Sequence, residues 1–285
     1  MKTISFIIFC SCLCLVTVLY ARKIPFGVAD ENIHPFIYAG EERLTFEVFW
    51  SGGIKIGDLH LEVHKNLDLA DHYTIDVRVK DSGIFHFFYP VNDTFKTIVD
   101  SNNYLPVQYD VEQIEGRSYH AIRHTEYDQE SGVIRYRKNK QQVTEFQVGG
   151  EVHNEFSSFF FTRMLALKHN KPVIVPTFAD KKRHEVVVQT GEAIRITNEV
   201  VGDIKVLPVN PIMDFKGLYD KAGDTVIFLT DDTCRIPVRI ISKLLIGSLT
   251  AELVAYSSST CLNNEQSRTE IQSSILPGKK LELGD

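Results

Sequence analysis

Beyond its first 21 residues the chain has no apolar run approaching the roughly 20 residues that a helix needs to span a bilayer, so no later segment reads as a helical anchor. Neither a phosphate loop of the Gly-x-x-x-x-Gly-Lys type nor a Gly-x-Ser-x-Gly elbow occurs, and no cysteine carries the signature of a partner histidine. The usual sequence marks of nucleotide binding and nucleophilic catalysis are thereby missing. No low-complexity tract, short-period repeat or Ser/Gly/Pro-rich spacer breaks the middle of the chain, which argues for one domain rather than two. Cysteine is scarce: five in 285 residues, three of them inside the first apolar run.

That run, Ile4–Leu19, follows Lys2 and precedes Leu19-Tyr20-Ala21, the pattern of a secretory signal with a small residue at the cut. Cleavage is expected after Ala21, making residues 1–21 a signal peptide. Cys12, which follows Ser11, is the alternative: a lipid-modified cysteine. Removing the signal removes Lys2 and no acid, so 30 Lys+Arg face 37 Asp+Glu and the net charge is −7. Nucleic acid is not the expected partner, and Lys138, Lys140 and Lys181–Arg183 sit among turn residues rather than in a basic stripe.

What is present is strand pattern. Leu44, Phe46, Val48 and Trp50 alternate with polar residues; Leu59, Leu61 and Val63 alternate with His60, Glu62 and His64; Tyr73–Val79 continues the period. About fifteen such segments follow one another with turn signals every 8–12 residues or so, the mark of an antiparallel sandwich or barrel. Residues 22–43 read as an extended arm, 44–256 as the β domain and 257–285 as a poorly ordered tail. One stretch is helical: Phe156–Leu167, with Ser157 or Ser158 able to cap its start and Asn170 and Pro172 closing its end. It is apolar around most of its girth, more than one flat sheet face covers, so the expectation is a mainly β fold with a large curved antiparallel sheet or open barrel packed around that helix. Ile84–Tyr89 reads as a helical turn or loop packed on the sheet.

Clusters of reactive residues have plainer readings. His60, Glu62 and His64 share a strand face, as do His120, His124 and Glu126, but each alternates with apolar residues as a solvated face does. A joint site would need those two strands to be neighbours. Asp231 and Asp232 are adjacent, so a strand would point them apart, and a turn pairing Asp with Arg235 or Arg239 is preferred. No metal, cofactor or catalytic residue is assigned. Cys234 and Cys261 are an even pair in an oxidising compartment. A hairpin centred between residues 245 and 246 pairs positions summing to about 491, so Cys234 faces position 257 and Cys261 overshoots by four. The small polar run Ser257–Thr260 can bend back, and a disulfide is expected.

Together, Gly40–Val48, Trp50–Gly57, Glu115-Gly116, Ser157–Leu167, Thr230–Asp232, Arg235–Val238 and Ile246–Leu249 resemble the exported bacterial proteins of domain of unknown function 3108, over roughly residues 40–256. The resemblance implies a largely antiparallel envelope protein of Gram-negative bacteria, periplasmic or associated with the outer membrane, and supplies no catalytic residues. In architecture alone the chain is similar to the curved sheets around a helix of periplasmic lipoprotein carriers. The aromatic excess near the helix and in Ile84–Tyr89 points to a non-catalytic protein that binds a lipid or acyl chain in the concave face, with Phe85, Phe88, Phe160 and Met164 as ligand-binding candidates. The alternative is a structural or assembly module that contacts another envelope protein and has no ligand.

Overall fold

The computed structural model describes residues 23–51, 53–83, 85–212, 225–244 and 247–261, with the backbone but not the side chain of Phe85. The expected signal, Cys12 and residues 262–285 of the expected tail lie outside the described residues. Fifteen strands follow one another: β1 (Glu42–Trp50), β2 (Ile54–Lys65), β3 (His72–Asp81), β4 (Asn92–Asp100), β5 (Pro106–Glu115), β6 (Tyr119–Asp128), β7 (Val133–Lys138), β8 (Thr144–Gln147), β9 (Val173–Ala179), β10 (Lys182–Thr190), β11 (Ile194–Asn198), β12 (Gly202–Ile212), β13 (Thr225–Thr230), β14 (Pro237–Lys243) and β15 (Ser248–Ser258). They form one sheet in the order β8-β7-β6-β5-β4-β3-β2-β1-β15-β14-β13-β12-β10-β9, with β11 attached to β12. Two meanders are thus joined where the first strand pairs with the last, Leu44 opposite Tyr256. The sheet stays open at β8 and β9.

The alternation in the sequence sets the two faces. Leu44, Phe46, Leu61, Val63, Ile75 and Phe95 are buried on the concave side, while Arg43, His60 and Arg78 alternate with them on the convex side. Register slips at Thr45/Phe46, Val48/Phe49 and Phe228/Leu229 mark bulges, which bend strands and add twist. At the second slip Val48 pairs with Gly57 and Phe49 with Lys55, leaving Ile56 as the extra residue. Gly57 is required there, because a Cβ would sit 2.4 Å from the Lys80 carbonyl oxygen.

Among the described residues three helices accompany the sheet: α1 (His34–Ile37), α2 (Phe85–Phe88) and α3 (Glu155–Met164). The long one is displaced from the expected Phe156–Leu167. Its cap is Asn154, whose side chain accepts from the Phe156 and Ser157 amides, while Ser157 is the third residue of the helix and returns a bond to the Asn154 amide. This closes a capping box that a search for a single cap misses. The helix ends at Met164 because Leu165 is already extended (ψ 149°) and pairs with Ala29.

The residues expected as an extended arm contain α1 and bury Ile33, Ile37 and Tyr38 in the core, so this segment is a plug under the helix rather than an appendage. Apolar burial outweighs the Pro and Gly punctuation that suggested extension. The Cys234–Cys261 disulfide is present, with the two Cα atoms 5.8 Å apart. The ladder around it has the expected register, Arg239 opposite Glu252 and Lys243 opposite Ser248. Both cysteines lie beyond that ladder: Cys234 in the turn before β14, Cys261 past the end of β15.

Candidate functional site

A helix with two apolar faces must be covered twice. On α3, Phe160 and Met164 are fully buried against the plug and the β1–β4 side of the core, Phe160 lying 6.2 Å from the Tyr38 ring. On the other side of the helix Phe156, Ser158, Phe159 and Thr162 face a cavity of about 510 Å³. Its walls are Val48, Leu59 and Val79 from the first meander and Val186, Ile227, Ile240 and Ala251 from the second. Here most of the inward wall positions hold Val, Ile or Ala, where larger residues would close the gap. The volume falls within the roughly 300–1,000 Å³ of small-molecule sites.

The cavity is not wholly apolar. Glu155, in the first turn of α3, borders it, and burial pushes its carboxyl up to about 7 although the Tyr109 hydroxyl bonds to it. Thr225 and Ser242 hydrogen-bond each other across the wall at 3.2 Å. The cavity reaches solvent at the end of the sheet where Trp50, Lys80 and Tyr89 are exposed. On the far side of α3, His153 stacks on Phe161 at 4.5 Å, and burial holds its pKa down to about 3.

Of the four residues expected to bind ligand, Phe160 and Met164 are packed in the core and do not line the cavity, and Phe88 is 78% exposed beside its mouth. The Phe85 side chain lies outside the described residues. Of the lining residues, Phe159 precedes Phe160 by one position and Phe156 precedes it by one turn, so the missing signal was which part of the helix the plug covers. Ile84–Tyr89 was expected to pack on the sheet; instead Phe87, Phe88 and Tyr89 stand out from it.

The histidines do not gather. β2 and β6 are four places apart in the sheet, about 19 Å at roughly 4.8 Å per strand. Each histidine is paired locally instead: His64 with Asp76 at 2.9 Å, His120 with Glu112 at 2.9 Å, His124 with Asp110 at 2.5 Å, and His60 with Thr45 at 3.2 Å. Although partial burial works against the charge, the carboxylate bonds raise His64 and His124 overall. Among the described residues, no group of three or more His, Cys, Asp or Glu is placed to hold a metal. Asp231 and Asp232 diverge: Asp232 pairs with Arg235 in a turn, through the backbone amide, and also accepts from the Cys234 amide, whereas Asp231 meets Lys205 at 2.8 Å and Arg239 pairs with Glu252.

These features define an open, strongly curved antiparallel β protein with an apolar cavity between its sheet and one helix. The chain belongs to the family described as protein of unknown function (DUF3108), whose model matches residues 45–254. It is similar in fold to the β-barrel-like protein of domain of unknown function DUF1849 from Brucella abortus, known from a crystal structure, with 9% sequence identity and a TM-score of 0.55 over 78% of this chain and 99% of that one. No curated protein matches the chain. No helix among the described residues is long and apolar enough to cross a membrane.

Proposed function

We propose that this protein is a non-catalytic, exported envelope protein that binds a lipid or acyl chain in the cavity between α3 and the concave face. The observation that carries the reading is the cavity itself: about 510 Å³ with walls of Phe, Leu, Ile and Val. Leaving that surface wet forgoes burial worth roughly 25 cal/mol per Å², which an apolar ligand recovers. Polar groups are the minority of the lining, with Glu155, Ser158, Thr162, Thr177, Thr225 and Ser242 among them, and a mainly apolar wall with some polar atoms suits a ligand that has a polar end and a long apolar part.

The alternative, an assembly module that pairs through its sheet edges, is less favoured. β9 already bridges Phe26 and His153 along part of its length, and β8 is only four residues long, both of which blunt an edge. Native mass spectrometry and lipid extraction of protein purified from envelopes test the leading reading. The expected result is a bound lipid in the wild type that is lost in Ser158→Phe, which fills the cavity from the helix side. Protein with no bound lipid and no uptake of a fluorescent fatty acid rejects it.

A further inference from the structure

We propose that the end of the sheet where the cavity opens docks on a lipid bilayer carrying anionic headgroups. Strand direction places the β1–β2, β3–β4 and β5–β6 connections at that end, together with the start of β15 and the end of β14. Six Phe, Tyr or Trp side chains are exposed among the described residues, and five of them (Trp50, Phe87, Phe88, Tyr89 and Tyr119) lie on these three connections; Phe26 is the sixth. Phe87 is 74% and Phe88 78% exposed, and Ile54, at the start of β2 on the same end of the sheet, is 53% exposed. Scattered apolar residues need no explanation, whereas a cluster at one end does.

The composition of the cluster selects the partner. Phe inserts among acyl chains, and Trp and Tyr prefer the headgroup boundary, where an apolar ring and a polar edge are both satisfied. Charge points the same way. The acids of these connections are engaged by neighbours: Asp81 with His86 at 2.8 Å, Asp58 with Lys55 at 2.8 Å, and Glu115 with the Tyr89 hydroxyl at 3.0 Å. Lys80, Arg117, Lys140 and Lys243 are exposed at the same end of an otherwise acidic chain. Basic residues beside an inserting apolar face are the arrangement that holds proteins on anionic lipid. Trp50 and Tyr89 also line the cavity, so the docking face and the mouth are continuous. A lipid would then pass between bilayer and cavity without crossing water, a purpose that rests on the proposed function, although docking itself does not.

Trp50 is the sole tryptophan, so its emission reports on this end alone. Protein expressed from its full gene, processed by the cell and purified free of membrane, is mixed with vesicles of phosphatidylethanolamine and phosphatidylglycerol. The expected results are flotation with the vesicles, a blue shift of Trp50 and quenching by brominated acyl chains. In Phe87→Ser/Phe88→Ser the partition coefficient should fall about tenfold or more with the melting temperature unchanged, because both rings are already outside the fold. Absence of flotation, equal flotation of the variant, or a wild-type dimer that the variant dissociates would each overturn the proposal. Bound lipid in a protein that ignores vesicles would remove docking and leave the ligand reading standing; vesicle binding by a protein without bound lipid would do the reverse.

Discussion

Arg163 and Glu42 form a two-pronged ion pair in the core, Nη1 to Oε2 at 2.6 Å and Nη2 to Oε1 at 2.7 Å, with neither residue more than 3% exposed. The remaining donors of Arg163 reach the Arg235 and Cys234 carbonyls at 3.0 and 3.2 Å, and the Tyr256 hydroxyl completes Glu42 at 3.0 Å. One pair therefore ties α3 to the first strand, the last strand and the turn that holds the disulfide.

Breaking this pair from one side leaves a buried charge without its partner. Arg163→Met is expected to cost about 3–5 kcal/mol, and adding Glu42→Leu should recover a large part of it, as a well-packed apolar replacement does. Urea unfolding of both single variants and the double variant measures the coupling. Additive losses would refute it.

The disulfide closes a separation of 27 residues, worth about 3.5 kcal/mol in the chain-entropy model. Cys234→Ser/Cys261→Ser should lower stability by about that amount, and reductant should lower the wild type equally while leaving the variant unmoved. Guanidinium titrations with and without reductant decide the matter.

Asn154→Ala removes the side-chain oxygen that accepts from the Phe156 and Ser157 amides at the start of α3 and leaves the Thr97 hydroxyl, now 3.0 Å from the Asn154 side-chain nitrogen, without that donor. A loss of about 1–2 kcal/mol is expected, at the upper end for a cap because the site is buried. Because the change also loosens the cavity wall, thermal melts should be paired with fatty-acid uptake. An unchanged melting temperature would show that the box is dispensable.

Two groups, the buried His153 and the half-buried Glu155, oppose each other with pH. His153 stays neutral in the fold down to about 3 instead of 6.5, so between those values the unfolded chain holds the extra proton and stability falls as pH falls. Glu155 keeps its proton up to about 7 instead of 4.5, so in that window the folded chain holds the extra proton and stability falls as pH rises. From about 4.5 to 6.5 the two effects cancel. Glu155→Gln should therefore expose a slope approaching 1.4 kcal/mol per pH unit across that window, rising with pH. Unfolding free energies as flat as those of the wild type would contradict it.

The sequence by itself determined the class of fold. Period-two alternation survives in almost every strand because one face is buried and the other wet, and a one-residue slip would invert both. The register around β14 and β15 was likewise legible, since short hairpins pair by arithmetic. Tertiary structure decided what the local pattern could not hold. The arm of residues 22–43 reads as extended, yet its Ile33, Ile37 and Tyr38 fill the core that the curled sheet leaves open. The same plug covers Phe160 and Met164, and so leaves the cavity to the neighbouring flank of the helix with Phe159 and Thr162 and to Phe156 a turn before Phe160. Arg163 lies within an aromatic helix and Glu42 at the edge of a charged run; nothing in their local spacing couples residues 121 positions apart. Burial made that pair obligatory, since a charge taken out of water must meet its opposite.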